Sequence, residues 1–342
     1  MTDSRETLPL RRLGRTDMKI TPVGFGAWAL GGGDWAAGWG AQDDEQSVAA
    51  IRHAVEYHGV NWIDTAATYG LGRSESVVGE ALRQMRPDAR PFVFTKCGLI
   101  WNDADPLAFP ARIGKPASIR QEAEASLKRL GVERIDLYQM HWPANDGTPV
   151  EEYWQTLLDL KAEGKIRAAG LSNHSAEQLA RAEAIGHVDT LQPPFSMIER
   201  GAGAAELPWC EANGTGVIVY SPMQAGLLAG SFTQARAAAL TSDDWRSRND
   251  NFKGEKLVQN IALADALRPI AARHALPVAS VAIAWVLSWT AVTGAIVGAR
   301  NPGQVDGWVS GATLTLSPTE LGEISAAIAE TGAGKGPISA GG

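Results

Sequence analysis

The chain has 342 residues, 45% hydrophobic and 20% charged, with a formal net charge of −7. This is an ordinary globular composition with material for a large core, and its mild acidity argues against a general binder of nucleic acid or anionic membrane. No apolar run is long enough for a membrane helix and MTDSRETLPLRRLGRTD contains no apolar signal core; with Cys97 and Cys210 as the two cysteines, no disulfide framework is expected and the cytoplasm is the simplest location.

In chain order, LRRLGRTDMKITPVG reads first as a small hairpin, expected to plug a barrel floor. Eight short apolar runs follow: VGFGAW, NWIDTA, FVFTKC, IDLYQMH, IRAAGLS, TLQPPFS, GVIVYS and TGAIVGA. They do not alternate strictly, as expected of parallel strands covered by helices. Helix starts are expected at capping boxes, where a short side-chain oxygen and a Glu or Gln satisfy orphan amides reciprocally. The pairs are Asp43/Gln46, Ser118/Gln121, Thr148/Glu151, Ser175/Gln178 and Ser317/Glu320. Pro149 and Pro318 suit the first helical position, and Gly131 suits a helix end.

Eightfold strand–helix alternation fits a (β/α)8 TIM barrel or a doubly wound sheet. The count, and polar residues gathered where strands end, favour the barrel. One domain is expected over residues 1–330. The Gly-rich segment 331–342 is expected to be a mobile tail.

Three connections are longer than needed: Leu30–Asp44, Gly98–Pro116 and about Ala229–Lys256. In a barrel all three rim the C-terminal face. Trp28, Trp35, Trp39, Trp101, Trp142 and Trp245 lie at or beyond strand ends, which fits an apolar ligand wall. Trp28, Trp35, Trp101 and Trp142 are taken as the substrate wall, Trp28 also bordering a cofactor.

Three strand ends carry a polar group that an apolar strand does not need: Asp64 after NWI, Lys96 after FVFT and His141 after LYQM. Tyr69 follows Asp64 on a loop. A single such residue is more often a satisfied structural group; four at successive strand ends are harder to dismiss. A phenol titrates near ~10, and a nearby ammonium lowers that value. Lys96 is placed to tune Tyr69, with Asp64 holding Lys96 and His141 donating to a carbonyl oxygen. The set suits protonation of a carbonyl oxygen while a nicotinamide delivers hydride to its carbon.

DTAATYG with SESVVGEAL, FTK, RIDLYQMHWP, GLSN and VYSPMQAGLLAG, in this order, resemble the aldo-keto reductase family, from about Leu10 to Glu330. The likeness looks greatest to the bacterial branch that reduces open-chain carbonyls and sugar aldehydes. It implies Tyr69 as general acid, Asp64 and Lys96 as its tuners, His141 as the group that orients the carbonyl, and NADPH bound at the barrel top.

The resemblance further implies that Ser172, Asn173 and Gln192 hold the carboxamide and Tyr220 stacks on the nicotinamide. Ser221, Pro222, Met223 and Gly226 would run along the pyrophosphate. After the last strand, Asn301 can cap a helix starting at Pro302, a ready phosphate site. Gly298 and Ala299 permit close approach, Arg300 would meet a 2′-phosphate, and Gln304 would lie against the adenosine. The chain departs from the family pattern at Phe195 and Ser196, where Tyr and Asn are frequent, and at Gly307, where Asn is frequent.

GFGAWA fits a loose G-x-G-x-x-A pattern, but no helix signal follows, so it is read as the first strand and its exit. His53, His58, His174, His187 and His274 show no metal-ligand spacing, and no catalytic metal is expected. Cys97 is expected to face away from the barrel interior. The expected partner is a small carbonyl or alcohol, with no nucleic acid or membrane. Two other readings stay open: a nicotinamide-binding regulatory protein resembling the channel β subunits, and a lyase with a Schiff base on Lys96.

Overall fold

The computed structural model describes residues 7–339. A two-stranded antiparallel hairpin comes first, β1 (Arg11–Arg12) and β2 (Lys19–Ile20). Eight parallel strands then close a barrel: β3 (Val23–Gly26), β4 (Trp62–Asp64), β5 (Phe92–Cys97), β8 (Ile135–Met140), β9 (Ile166–Ser172), β10 (Thr190–Gln192), β11 (Gly216–Val219) and β12 (Val292–Gly298). Between β5 and β8 a second hairpin intervenes, β6 (Leu99–Ile100) and β7 (Ala111–Arg112). All eight apolar runs are barrel strands, and barrel neighbours follow chain order, as expected.

Helices cover the barrel: α1 (Asp44–Arg52), α2 (Arg73–Gln84), α3 (Pro116–Leu130), α4 (Val150–Ala162), α5 (Ala176–Glu183), α6 (Glu206–Asn213), α7 (Gln234–Ala238), α8 (Gly254–Ala266), α9 (Arg268–His274), α10 (Val278–Leu287), α11 (Pro302–Asp306) and α12 (Pro318–Thr331). No single helix among the described residues is long and apolar enough to cross a membrane.

The capping expectation holds in full at two of its sites and by half at a third. Ser175 and Ser317 form complete boxes with Gln178 and Glu320, and Asp43 accepts from the Gln46 N–H. It fails at two. Pro116 sets the first turn of α3 behind Lys115, so Ser118 is already helical and its hydroxyl donates to Glu122 at 3.2 Å. Pro149, expected at the first helical position, instead stands before α4 as its cap in place of Thr148, with extended backbone (φ −72°, ψ 157°). In both places the proline decides the entry, because its fixed φ suits the start of a helix.

Side-chain alternation makes two cores. Val23, Ile63, Val93, Cys97 and Tyr138 point outward to the helices, and Cys97 faces away from the interior as expected. Trp62, Phe94, Leu137, Ala168, Ile218 and Ile296 point inward and meet Leu13, Met18 and Ile20 of the hairpin. The hairpin therefore does plug the floor. Trp62 fills the barrel centre: a Cβ on Gly24 would fall 2.2 Å from its ring, and one on Gly294 would fall 2.9 Å away. Burying an indole of roughly 200 Å² contributes about 5 kcal/mol, so Gly24 is a packing requirement.

The same inward rows continue upward. Two or four residues past this floor layer stand Asp64, Lys96, Gln139, His141, Ser172, Tyr220 and Gly298. Period-two alternation lifts the row from an apolar floor to a polar mouth.

The segment expected to be a mobile tail is tied down as far as it is described. Arg200 donates to the carbonyls of Ala333 and Gly336, and its own N–H donates to that of Lys335 at 2.9 Å. A buried guanidinium needs several acceptors, and this segment supplies them. Residues 340–342 lie outside the described residues.

Candidate active site

The mouth of the barrel opens into a cleft of about 750 Å³. Asp64, Tyr69 and His141 line it. Lys96 lies just beneath, with its side chain fully buried. The Lys96 ammonium has three donors and spends each one: Asp64 Oδ1 at 2.5 Å, the Thr65 carbonyl at 2.9 Å and Tyr69 Oη at 3.4 Å. The four expected residues converge.

Two glutamines complete the base. Gln192 donates to Asp64 Oδ2 at 2.8 Å, and Gln139 donates to the same oxygen at 3.5 Å. Gln192, expected on a cofactor, lines the cleft and also holds the carboxylate. Gln139 escaped sequence reasoning. Its signal was available: it lies two positions before His141 on β8 and so shares the inward row.

Burial raises the Asp64 carboxyl and lowers the Lys96 ammonium, while their mutual attraction opposes both shifts. Tyr69 departs from the expected direction. Burial, and after it the Asp64 carboxylate, hold its phenol well above the ordinary value. At neutral pH Tyr69 keeps its proton, and Lys96 is placed to stabilise the phenolate only once it forms. Burial, then the Lys96 and Arg112 charges, keep His141 far below the usual imidazole range. It is therefore a neutral ring, edge-on to Tyr69 with centroids 5.6 Å apart.

Every residue expected to bind cofactor lines the cleft: Trp28, Ser172, Asn173, Gln192, Tyr220, Ser221, Pro222, Met223, Gly226, Gly298, Ala299, Arg300 and Gln304. Asn173, at φ 62°, donates to the His141 carbonyl at 2.9 Å and accepts from the Tyr220 hydroxyl at 2.7 Å. That bond fixes the Tyr220 ring over the mouth. After β11, Ser221, Gln224, Ala225 and Gly226 all have positive φ. Non-glycine backbone of this kind persists where surroundings over-determine it, often at ligand clamps. Asn301 caps α11 by accepting from the Gln304 N–H at 3.1 Å, as expected.

The long loops after β3 and β11 join over the cleft. Trp39 bridges to Asp244, and the Trp245 N–H donates to the Gly38 carbonyl at 3.3 Å. Trp28 stacks on Trp245 at 5.2 Å. Arg300 is engaged by the first loop: its Nε donates to Gln42 Oε1 at 2.5 Å and a terminal nitrogen to the Ala41 carbonyl.

The aromatic wall differs from expectation in its members. Trp28, Trp35 and Trp142 line the cleft. Trp101 does not. It sits on the β6–β7 hairpin and its indole N–H donates to Asp103 of the same loop at 2.9 Å. Trp39 and the exposed Phe109 line the cleft instead. A hairpin inside a long loop reverses the chain, and residue order does not show which side of the loop faces in. Phe195, at one departure from the family pattern, packs into the core against Trp289 at 4.9 Å. Gly307, at the other, lines the cleft. His174 is buried between the Ser172 carbonyl and the Tyr153 hydroxyl.

Thr68 Oγ1, Trp39 Nε1 and Trp308 Nε1 are buried in residues that line the cleft and have no hydrogen-bond partner among the described residues. Orphaned polar atoms in a lined cleft fit a site built for a polar ligand. A closed parallel barrel with convergent polar groups at the C-terminal ends of its strands defines a barrel enzyme. The chain belongs to the aldo/keto reductase family, whose sequence model matches residues 22–329.

Among curated relatives, the NADH-specific methylglyoxal reductase of Escherichia coli is 34% identical, over 90% of this chain and 94% of its own. Aldo-keto reductase YhdN of Bacillus subtilis is 32% identical, over 92% of each. Among solved structures, the glycerol dehydrogenase AKR11B4 of Gluconobacter oxydans superposes with a TM-score of 0.85 at 35% identity, covering 96% of this chain and 98% of that one. The chain is thus an oxidoreductase of a family that uses nicotinamide cofactors.

Proposed function

We propose that the protein reduces small aldehydes, dicarbonyls or ketones to alcohols, reversibly, with Tyr69 as proton donor and NADPH as preferred cofactor. The observation that carries this reading is the buried chain Tyr69–Lys96–Asp64 beneath an open cleft.

When bound, a reduced nicotinamide supplies a hydride to the carbonyl carbon. Ser172, Asn173 and Gln192 offer the polar atoms for its carboxamide, and Tyr220 a ring face. Ser221–Gly226 and the start of α11 would hold the phosphates. The rest follows from the chain's own groups. A neutral His141 orients the carbonyl oxygen without a competing charge. Tyr69 holds its proton at rest and releases it as negative charge grows on that oxygen. Lys96, 3.4 Å from Tyr69 Oη, stabilises the phenolate left behind, and Asp64 keeps Lys96 charged. A Schiff base on Lys96 is disfavoured, because it needs a free neutral amine and all three donors of this ammonium are spent.

Arg300 supports NADPH, since it lines the cleft and its backbone N–H donates to Gln304 at 2.8 Å. NADH is the second reading: Arg300 is already engaged by Gln42 and Ala41, and a relative is NADH-specific. The relatives point to methylglyoxal-like dicarbonyls and to glycerol or its aldehyde as first substrates. The rim of Trp28, Trp35, Trp142 and Phe109 also admits a partly apolar carbonyl. Nicotinamide absorbance against time, with each cofactor over such a panel, tests the reading. Saturable oxidation of NADPH by at least one carbonyl supports it, and tight cofactor binding without turnover on any compound contradicts it.

A further inference from the structure

Away from the cleft, three metal-ligating side chains meet where linear spacing gave no sign of it. Helix α1 does not end as an α-helix. It passes into a π-helical turn over His53–Tyr57, closed by the His58 N–H donating to the His53 carbonyl at 3.2 Å. On an α-helix, residues five apart stand about 140° apart around the axis. The wider π turn brings His53 and His58 to one side, with ring centroids 4.8 Å apart. Such turns concentrate at functional sites. Tyr57 stacks on His53 at 4.7 Å and packs edge-on against His58 at 4.8 Å, which fixes both rings.

Opposite them stands Asp306, the last residue of α11. His53 Nε2 and His58 Nε2 each lie 2.7 Å from the same oxygen, Asp306 Oδ1. The three ligand atoms all fall within 4.8 Å of one another. The Asp306 side chain is 55% exposed, so ions have access from solvent.

We propose that His53, His58 and Asp306 form a binding site for a divalent transition-metal ion of the zinc class, with water completing the shell. Two imidazoles and a carboxylate suit zinc, nickel or copper, whereas magnesium and calcium prefer oxygen throughout. A tetrahedral site with bonds of about 2.0–2.2 Å sets neighbouring donors about 3.3 Å apart. Each His–Asp contact then opens by about 0.6 Å, and each Nε2 turns its lone pair to the ion. A hydrogen-bonded clamp between two helices needs one imidazole. Here two rings aim the same atom at one point, which is the convergence a metal requires. The ion would tie the π turn to the short helix that carries Gln304, without touching the reacting groups.

The test is calorimetric titration of tag-free protein with zinc chloride, beside His58→Ala and Asp306→Asn, with thermal unfolding in zinc and in EDTA. Circular dichroism establishes that each variant is folded. Wild type is expected to take up one zinc per chain and to gain thermal stability. Either variant should bind at least about 100-fold more weakly, more than loss of a supporting partner costs, and should lose the stability gain. If wild type takes up no more zinc than the folded variants, the cluster is a hydrogen-bonded clamp and the proposal fails. The readouts are binding and stability, so this result stands apart from any result on turnover.

Discussion

Lys96 Nζ lies 2.5 Å from Asp64 Oδ1, with the ammonium fully buried and the carboxylate nearly so at the base of the cleft. Such a pair is weak evidence for stability, yet breaking one side is costly, because it strands a buried charge. Lys96→Met is expected to lower unfolding free energy by about 3–5 kcal/mol and to depress turnover sharply. Urea unfolding and steady-state rates check both. A variant as stable and as active as wild type would detach the pair from fold and chemistry alike.

Arg300 separates the two cofactor readings. If it meets a 2′-phosphate, Arg300→Ala loses a charge-assisted hydrogen bond of about 1.5–3 kcal/mol. KM for NADPH should then rise about 10-fold or more, with NADH nearly unaffected. Equal, small changes for both cofactors would leave Arg300 as a brace for the loop that holds Gln42.

A pH dependence follows from Glu122, which accepts from the Gly98 N–H at 2.8 Å where β5 gives way to its long loop. Burial raises its carboxyl from 4.5 to about 7. Between those values the folded chain binds more protons than the unfolded one, so stability falls as pH rises. The contribution is complete below the unfolded value and lost as pH passes about 7. Glu122→Gln removes the titration and keeps an acceptor. Its Tm should gain on wild type between about pH 5 and pH 8. Parallel Tm curves for the two proteins would contradict this assignment.

Much of this molecule is legible in the residues themselves. The inward row that begins at Trp62 and Phe94 ends at Asp64 and Lys96, and period two alone carries the reader from floor to mouth. The Ser175 and Ser317 caps are local chemistry and read correctly. What stays hidden depends on long-range partners. Trp101 could not be told from Trp39 without the β6–β7 hairpin. The anchoring of the C-terminal segment depends on Arg200, more than a hundred residues away in sequence. The direction of the Tyr69 shift depends on burial, with the Asp64 carboxylate acting the same way, and no spacing reveals that burial. The meeting of His53, His58 and Asp306 rests on a π turn, for which the sequence carries no plain signal.

Proton donation by Tyr69 is best tested with Tyr69→Phe, measuring turnover and NADPH binding on one preparation. The variant keeps the ring between Trp28 and His141 and loses only the hydroxyl. Turnover should fall by about 10²–10⁴-fold, with the NADPH dissociation constant little changed. Turnover within a few-fold of wild type would show that the proton comes from another group.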